Sequence, residues 1–268
     1  MPTLPEQQGE SRPEPHELRQ TAESFGVDAA RYDRARPAYP EGLITEIIGN
    51  ASGASILDVG TGTGIAARQF EGRGCRVLGV EPDGRMADFA RTTGIDVEVA
   101  TFEEWDSKNR TFDILAAGQA WHWVDPQSGA EKAARVLKPG GTFAVFWHLF
   151  LPPDDIAEVF GEAFHKVASN FPIKVGRTPN REPYKPIIDK TEEALDKIGF
   201  HNPKRHLYTW QQNYTRAEYL DLLPTQGGLT RVPQAQQEEV LTAVGAAIDA
   251  RGGQFACDYT TVLFTATR

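Results

Sequence analysis

The sequence has few cysteines, no excess of basic residues and no long apolar run, and each of these absences excludes a class of protein. The two cysteines, Cys75 and Cys257, show no metal-ligand spacing and are too few for a disulfide framework, which predicts a reducing, cytoplasmic location. The 28 basic residues are outnumbered by 37 acidic ones, and the net charge of −9 argues against nucleic-acid and anionic-membrane partners. No run approaches the roughly 20 apolar residues that span a bilayer, and the polar start of the chain is not expected to be a signal peptide.

The overall composition, with 40% hydrophobic and 24% charged residues, is typical of a globular protein with a sizeable core. The exception is residues 1–24, which are rich in Pro, Glu and Gln and lack periodicity, so we expect a flexible leader there. The remaining length favours a single domain over residues 25–268.

Short apolar runs bounded by glycine alternate with amphipathic stretches after Pro40. Alternation at this spacing predicts an α/β fold with a parallel, doubly wound sheet. A Lys-Pro-Gly-Gly sequence at 138–141 marks the helix stop before the fifth strand. The predicted strands are 55–60, 76–81, 96–102, 112–118, 142–150, 206–215 and 255–267. Beyond residue 151 the alternation loosens, and helices are predicted at 154–169, 191–198, 215–223 and 233–251.

A glycine-rich turn, DVGTGTG at residues 58–64, joins the first predicted strand to its helix. Glycines allow a ligand to approach the backbone, and folds of this type bind ligands at the carboxyl ends of their strands. The glycine spacing differs from the Gly-x-Gly-x-x-Gly of dinucleotide sites, and Asp58 would repel a pyrophosphate. Asp58 suits a cationic or amine-bearing ligand, and Glu81, at the end of the second strand, suits a ribose diol.

Several segments, taken in order, resemble the motifs of class I S-adenosylmethionine-dependent methyltransferases. The resemblance covers about residues 25–150 and rests on LDVGTGTG (57–64), GVEPDGRM (79–86), ATFEEW (100–105), FDILAAGQAWHW (112–123) and RVLKPGG (135–141). More narrowly, ARYDRARPAYP together with QAWHWVDP is similar to the small-molecule branch, methyltransferase type 11, that includes trans-aconitate methyltransferase.

This resemblance implies a Rossmann-like, seven-stranded and mostly parallel sheet, with an antiparallel C-terminal strand and a lid inserted over the site. Residues 25–150 would form the cofactor-binding core. Residues of about 151–232 would form the substrate lid or insert, including one core strand, and residues 233–268 the C-terminal helix and strand. The implied cofactor is S-adenosylmethionine.

The resemblance also implies cofactor contacts. The glycines of the turn would lie along the amino-acid and ribose portions, with Asp58 near the ammonium group and Glu81 on both ribose hydroxyls. Residues after the second and third strands would face the adenine, and residues after the fourth would border the methionine portion. The predicted cofactor residues are Tyr32, Arg36, Asp58, Gly60, Thr61, Gly62, Gly64, Glu81, Pro82, Met86, Thr101, Phe102, Glu103, Gly118 and Gln119.

Aromatic and histidine side chains are concentrated near the expected mouth of the site. His122, just after the fourth strand, is the candidate catalytic residue, as a general base or as a group that orients the acceptor. Arg36 suits a carboxylate, either of the cofactor or of an acidic substrate. No third ligand accompanies His122 and His148, so no metal is predicted. The predicted substrate residues are Tyr39, Trp121, Trp123, Trp147 and His148.

A structural interpretation competes for each of these residues. Arg34 and Arg36 would then be surface residues of a cap helix, the tryptophans would belong to the core, and the histidines would bond backbone carbonyls. The sequence alone leaves both interpretations open.

The predicted function is transfer of a methyl group from S-adenosylmethionine to a small molecule, most readily onto a hydroxyl or carboxylate oxygen. The alternatives are a non-catalytic S-adenosylmethionine-binding regulatory protein and, disfavoured by Asp58 and the glycine spacing, a dinucleotide-dependent oxidoreductase. A nucleic-acid methyltransferase is disfavoured by the net charge and by GQAW after the fourth strand, where such enzymes carry an Asn/Asp-Pro-Pro-aromatic motif. The acceptor and the oligomeric state are not specified by any motif.

Overall fold

A seven-stranded sheet forms the centre of the molecule, in the order β3-β2-β1-β4-β5-β7-β6. The computed structural model describes residues 23–49, 51, 53–168 and 184–268, so nearly all of the leader predicted for 1–24 lies outside it. Strands β1 to β5 are parallel, and β7 runs antiparallel to both β5 and β6, which confirms the predicted fold. The strands are β1 (Ser55–Val59), β2 (Arg76–Glu81), β3 (Asp96–Val99), β4 (Phe112–Gly118), β5 (Leu137–Leu151), β6 (His201–Thr215) and β7 (Gln254–Thr267).

Local sequence signals set the helix bounds. Asp83 and Asp125 accept hydrogen bonds from backbone N–H groups of the helices that follow them, and Thr215 with Glu218 forms a capping box. The helices are α1 (Ala29–Ala35), α2 (Glu41–Ile48), α3 (Ile65–Glu71), α4 (Gly84–Thr92), α5 (Pro126–Val136), α6 (Asp154–Val167), α7 (Lys185–Lys197), α8 (Arg216–Leu222) and α9 (Gln234–Ala250).

Both faces of the sheet are buried, because successive strand residues point to opposite sides. Ile56 of β1 packs with α2, α3 and α4 on one face, whereas Leu57 packs with α5 and α7 on the other. A third cluster joins α6, α8 and α9 to β6 and β7. The carboxyl ends of β1, β2 and β4 therefore meet at one edge of the sheet, between these layers.

Two differences from the predicted elements have clear causes. Helix α7 begins at Lys185 and not at 191, because Pro186 fits the first helical turn. Within the predicted lid or insert at 151–232, α7 packs against α5 and β6 is the edge strand of the sheet, and the role of this segment as a lid stays a prediction. Residues 169–183 of that insert lie outside the described residues.

In the part of the chain that the structure describes, every helix is too short or too polar to cross a membrane.

Candidate active site

The glycine turn after β1 has a backbone that only glycine adopts readily. Gly60, Gly62 and Gly64 have φ values of 65°, 58° and 88°, in the left-handed region. The N–H of Gly60 donates to the carbonyl of Val80 over 2.8 Å, which fixes the turn against the end of β2. Met86, at the start of α4, approaches to 3.7 Å of the position that a Cβ on Gly62 would occupy. The turn thus forms an open backbone surface with the Met86 side chain beside it.

Two buried carboxylates flank this turn. Asp58 accepts a hydrogen bond from Thr61 Oγ1 over 2.6 Å. Glu81 accepts from the N–H of Gly62 over 2.9 Å and from the N–H of Asp83 over 3.0 Å. Burial raises the pKa of Asp58 to about 7 and that of Glu81 to about 7. The fold therefore disfavours the charged form of both carboxylates, and a nearby cation would stabilise that form.

The surroundings of these carboxylates fit a ligand that is cationic and rich in hydroxyls. Among the described residues, none forms a salt bridge with Asp58 or Glu81. The hydroxyl of Thr63, in the same turn, is buried and has no hydrogen-bond partner. Buried charges are usually paired with a cation and buried hydroxyls with a hydrogen-bond partner, so the two carboxylates and Thr63 indicate a binding site for a ligand.

The segment after β3 contains the residues predicted to contact the adenine. Some of its side chains already have contacts within the protein. Phe102 is buried against Trp121, with ring centroids 5.8 Å apart. Glu103 accepts from the N–H of Asp125 over 2.9 Å, which leaves its other oxygen for a ligand. Thr101 is half-exposed and donates to Glu104. Pro82, which follows Glu81, is also half-buried. Adenine contacts by these residues stay predictions.

The end of β4 is tightly packed. A Cβ on Gly118 would lie 2.7 Å from Tyr39 Oη and 2.7 Å from Phe146, so only glycine fits there. Gln119 follows with φ of 58°, an uncommon conformation for a residue with a side chain. Its N–H donates to the carbonyl of Phe146 over 2.8 Å. The packing therefore holds the Gln119 side chain at the carboxyl edge of the sheet, where it lines a cavity.

The histidine predicted as catalytic is bonded to a tryptophan of β5. Trp147 Nε1 donates to His122 Nδ1 over 3.2 Å, and burial lowers the pKa of His122 to about 4. The neutral ring therefore carries its hydrogen on Nε2. Trp123 packs beside His122, with ring centroids 4.5 Å apart, and is half-buried. Trp121, by contrast, is fully buried against Phe143, so the structure gives it a core position beneath the site.

His148 lies in a layer of aromatic rings between β5 and β7. It stacks on Tyr39 with centroids 4.5 Å apart, and its Nδ1 is 2.8 Å from Thr261 Oγ1. Trp210 of β6 donates to the same Thr261 oxygen over 2.9 Å. Burial lowers the pKa of His148 to about 3. His148 is thus neutral and buried, on the wall of the cavity.

This cavity adjoins the glycine turn and is closed by the segment after α8. Arg36 donates to Thr225 Oγ1 over 3.0 Å and to its carbonyl oxygen over 2.5 Å, and lies 4.9 Å from the ring of Tyr32. Arg34 is exposed and binds Asp221, as the surface interpretation expected. The cavity is lined by Tyr32, Arg36, Pro37, Tyr39, Ile65, Gln119, His148, Phe150, Leu222, Gln226 and Tyr259.

Several residues of this region were missed by the sequence analysis. Tyr184, at the start of α7, stacks on Trp147 with centroids 5.2 Å apart. Its hydroxyl lies 3.5 Å from Gln119 Oε1. Tyr259 and Thr261 of β7 and Gln226 were also missed. The alternation of apolar and polar residues along β7 was the available signal. It places Tyr259 and Thr261 on the same buried face of the strand, which pairs with β5.

Comparison with known sequences places this site in a family. Residues 57–145 match the family described as a methyltransferase domain, of type 11. An uncharacterized methyltransferase of Mycobacterium tuberculosis is 37% identical over 128 residues, 47% of this chain and 52% of the relative. A ubiquinone biosynthesis O-methyltransferase of Bradyrhizobium is 33% identical over 100 residues, 35% of this chain and 40% of the relative. The chain thus spans about half the length of the curated mycobacterial relative it matches.

Solved structures share the fold. A structure from Anaeromyxobacter dehalogenans, described as a type II methyltransferase, has a TM-score of 0.60 at 20% identity, over 86% of this chain and 97% of the other. Phosphoethanolamine N-methyltransferase 2 of Haemonchus contortus, in complex with S-adenosyl-L-methionine, has a TM-score of 0.53 at 16% identity, over 91% of this chain and 57% of the other.

The sheet order and the match over residues 57–145 indicate a methyltransferase domain with the class I fold, a class whose cofactor is S-adenosylmethionine. Within that class, residues 57–145 match the methyltransferase domain of type 11. The buried carboxylates and the unpaired Thr63 hydroxyl fit this cofactor, which carries an ammonium group, a positive sulfur and a ribose diol.

Proposed function

We propose that this protein transfers a methyl group from S-adenosylmethionine to an oxygen atom of a small molecule. The observation that supports this most is the cavity beside the glycine turn, lined by aromatic rings and by Arg36. The similarity to a ubiquinone biosynthesis O-methyltransferase is consistent with a small acceptor that reacts through oxygen.

The cofactor supplies, when bound, a methyl group on a positively charged sulfur. On the protein side, Glu81 would accept hydrogen bonds from the ribose hydroxyls, and Asp58 would stabilise the ammonium group through its buried charge. The open glycine backbone from 60 to 64 would lie along the rest of the ligand. Pro82, Met86 and the 101–103 segment would border the adenine.

On the acceptor side, the chain positions the small molecule and excludes water. Tyr39, His148 and Tyr259 form a layered wall, since His148 stacks on Tyr39 and meets Tyr259 edge-on at 5.8 Å. Arg36 is fixed by Thr225, so its position does not depend on a ligand. Alignment of the acceptor with the methyl group is the main requirement of such a reaction, because the positively charged sulfur is already a good leaving group.

His122 is expected to donate a hydrogen bond and not to act as a base, because its Nδ1 already accepts from Trp147. His122→Gln should therefore lower kcat by less than about tenfold, whereas loss of a general base lowers it by roughly 10²–10⁴-fold. The check is kcat against pH for both proteins at saturating cofactor. His165→Gln, on the exposed side of α6, is the control. A loss of more than about a hundredfold would restore the role of base to His122.

The chemistry of the acceptor can be tested with matched sets of small carboxylic acids, phenols, alcohols and amines. Formation of S-adenosylhomocysteine is followed, and each product is then treated with mild base, which hydrolyses a methyl ester but not a methyl ether. The proposal expects an ester or an ether. Transfer only to the amines would contradict it.

A further inference from the structure

Both histidines near the acceptor site have their tautomer set by a tryptophan. For His122 the link is direct: an indole N–H only donates, so Nδ1 must accept and Nε2 carries the hydrogen. In a neutral imidazole one nitrogen donates and the other accepts. His122 therefore presents a donor at Nε2.

For His148 the link runs through Thr261. Trp210 Nε1 donates to Thr261 Oγ1 over 2.9 Å, so that oxygen already accepts one hydrogen bond. Thr261 is fully buried, and its own hydroxyl hydrogen needs an acceptor, for which His148 Nδ1 lies 2.8 Å away. His148 Nδ1 then accepts from Thr261, and its hydrogen is on Nε2.

The Nε2 atom of His148 is buried and has no hydrogen-bond partner among the residues that the structure describes. The backbone of Pro37 also acts on this ring and favours its charged form, against the larger effect of burial. Gln226 Nε2, which lines the same cavity, is a second buried donor without a partner in the described part of the chain. Two buried donors left open at one cavity indicate a ligand that accepts hydrogen bonds.

The charge of the cavity wall agrees with this. Arg36 is the only ionised side chain among the described residues that line it, and none of those residues is acidic. Burial lowers the pKa of His148 to about 3, so its ring stays neutral from pH 5 upward. The positive charge of Arg36, with no carboxylate among these lining residues, favours a carboxylate or another oxygen anion over an ammonium group.

We propose that His148, held as the Nε2–H tautomer by the Trp210–Thr261 pair, positions an anionic oxygen of the acceptor together with Gln226 and Arg36. This rests on the proposed function and specifies its substrate class. Such an acceptor arrives without a proton. A new C–O bond forms as the C–S bond breaks, the bond pair stays on sulfur, and no base is needed.

The same chemistry predicts where His148 acts in the kinetics. The acceptor oxygen loses its negative charge during the transfer, so a donor binds it more strongly before the reaction than at the transition state. Removal of the donor should therefore raise KM for the acceptor without lowering kcat. His148 is in this sense a positioning residue.

The tautomers can be measured without knowledge of the acceptor. The full chain, labelled with [15N]histidine and saturated with S-adenosylhomocysteine, is examined by long-range 1H–15N correlation between pH 5.5 and 8.5. Signals are assigned from His122→Gln, His148→Gln and the exposed control His165→Gln. Both site histidines are expected to be neutral with hydrogen on Nε2 throughout this range. A hydrogen on Nδ1, or a charged ring, at position 148 would overturn the proposal.

A matched pair of substitutions tests the donor itself. In His148→Gln the amide nitrogen replaces Nε2, whereas in His148→Asn it replaces Nδ1 and faces Thr261. With an acceptor from the matched sets above, the Gln variant should keep KM within about threefold and the Asn variant should raise it about ten- to a hundredfold. A purely structural role predicts the reverse order, because Asn retains the contact with Thr261, and that result would overturn the proposal.

The two possible failures are distinguishable. If no methyl group is transferred to any oxygen acceptor, the proposed function fails, whatever the tautomers are. If transfer occurs but the Asn variant binds the acceptor as well as the Gln variant does, the proposed function stands and the role of His148 fails.

Discussion

Replacement of Glu81 by alanine should weaken binding of S-adenosylhomocysteine by about ten- to a hundredfold, since a hydrogen bond to a charged group contributes roughly 1.5–3 kcal/mol. Glu81 is the buried carboxylate at the end of β2, and its oxygens already bind the backbone N–H groups of Gly62 and Asp83. The ligand hydroxyls would therefore meet a carboxylate that is fixed in place. Titration calorimetry on the folded variant measures the dissociation constant.

Two further variants make this result interpretable. Glu81→Gln keeps the shape and one acceptor oxygen, so it preserves the turn if alanine disrupts it, and it should still lose about tenfold in affinity. Glu71→Ala, at the exposed end of α3, should bind like the wild type. Wild-type affinity in both Glu81 variants would show that the ribose is not held there.

Asp58→Asn is expected to weaken cofactor binding by about tenfold or more and, unusually, to stabilise the cofactor-free protein at alkaline pH. The reason is burial, which raises the pKa of Asp58 to about 7 and makes its charged form unfavourable in the fold. Asparagine removes that charge while its side-chain oxygen can still accept from Thr61.

The pH dependence follows from the direction of the shift. A carboxyl whose pKa is raised in the fold contributes its full stability below about pH 4, and that contribution is lost as the pH rises to about 7. The free energy of unfolding of Asp58→Asn relative to wild type should therefore increase by roughly 2–3 kcal/mol between pH 5 and pH 8. Urea denaturation at the two pH values measures it.

The exposed Asp96→Asn variant serves as the control, because its side chain starts β3 at the surface. Its relative stability should be the same at pH 5 and pH 8. If the relative stability of Asp58→Asn is also the same at the two pH values, the fold does not disfavour the charged form of Asp58. The explanation of the site through buried charge is then wrong.

The part of the site nearest the cofactor was predictable because it is local in sequence. The turn glycines, Asp58 and Glu81 stand at strand ends, and parallel strands bring those ends together without further information. The two β-rich runs at the end of the chain were also recognised. Their register was not, since antiparallel pairing depends on how β5 packs against β7.

The acceptor side was predictable only in part because its groups come from distant segments. His148 and Thr261 are paired across β5 and β7, and Trp210 reaches Thr261 from β6. Tyr184 and Gln226 lie in stretches with no periodicity, where nothing in the sequence indicates which side chain faces the cavity. For His122, its position after β4 suggested a base or a group that orients the acceptor, and its hydrogen bond from Trp147, which the sequence did not reveal, favours the second role.

The most direct measurement of the central claim is the transfer of an isotope-labelled methyl group. The full chain is incubated with methyl-labelled S-adenosylmethionine and a mixture of small carboxylic acids, phenols and alcohols, and products are detected by mass spectrometry. We expect a labelled O-methyl product that accumulates with time together with S-adenosylhomocysteine and forms more slowly with Glu81→Ala at a cofactor concentration near the wild-type dissociation constant. Tight binding of the cofactor without transfer to any acceptor in the mixture or in a metabolite extract would contradict the account and indicate a non-catalytic binding protein.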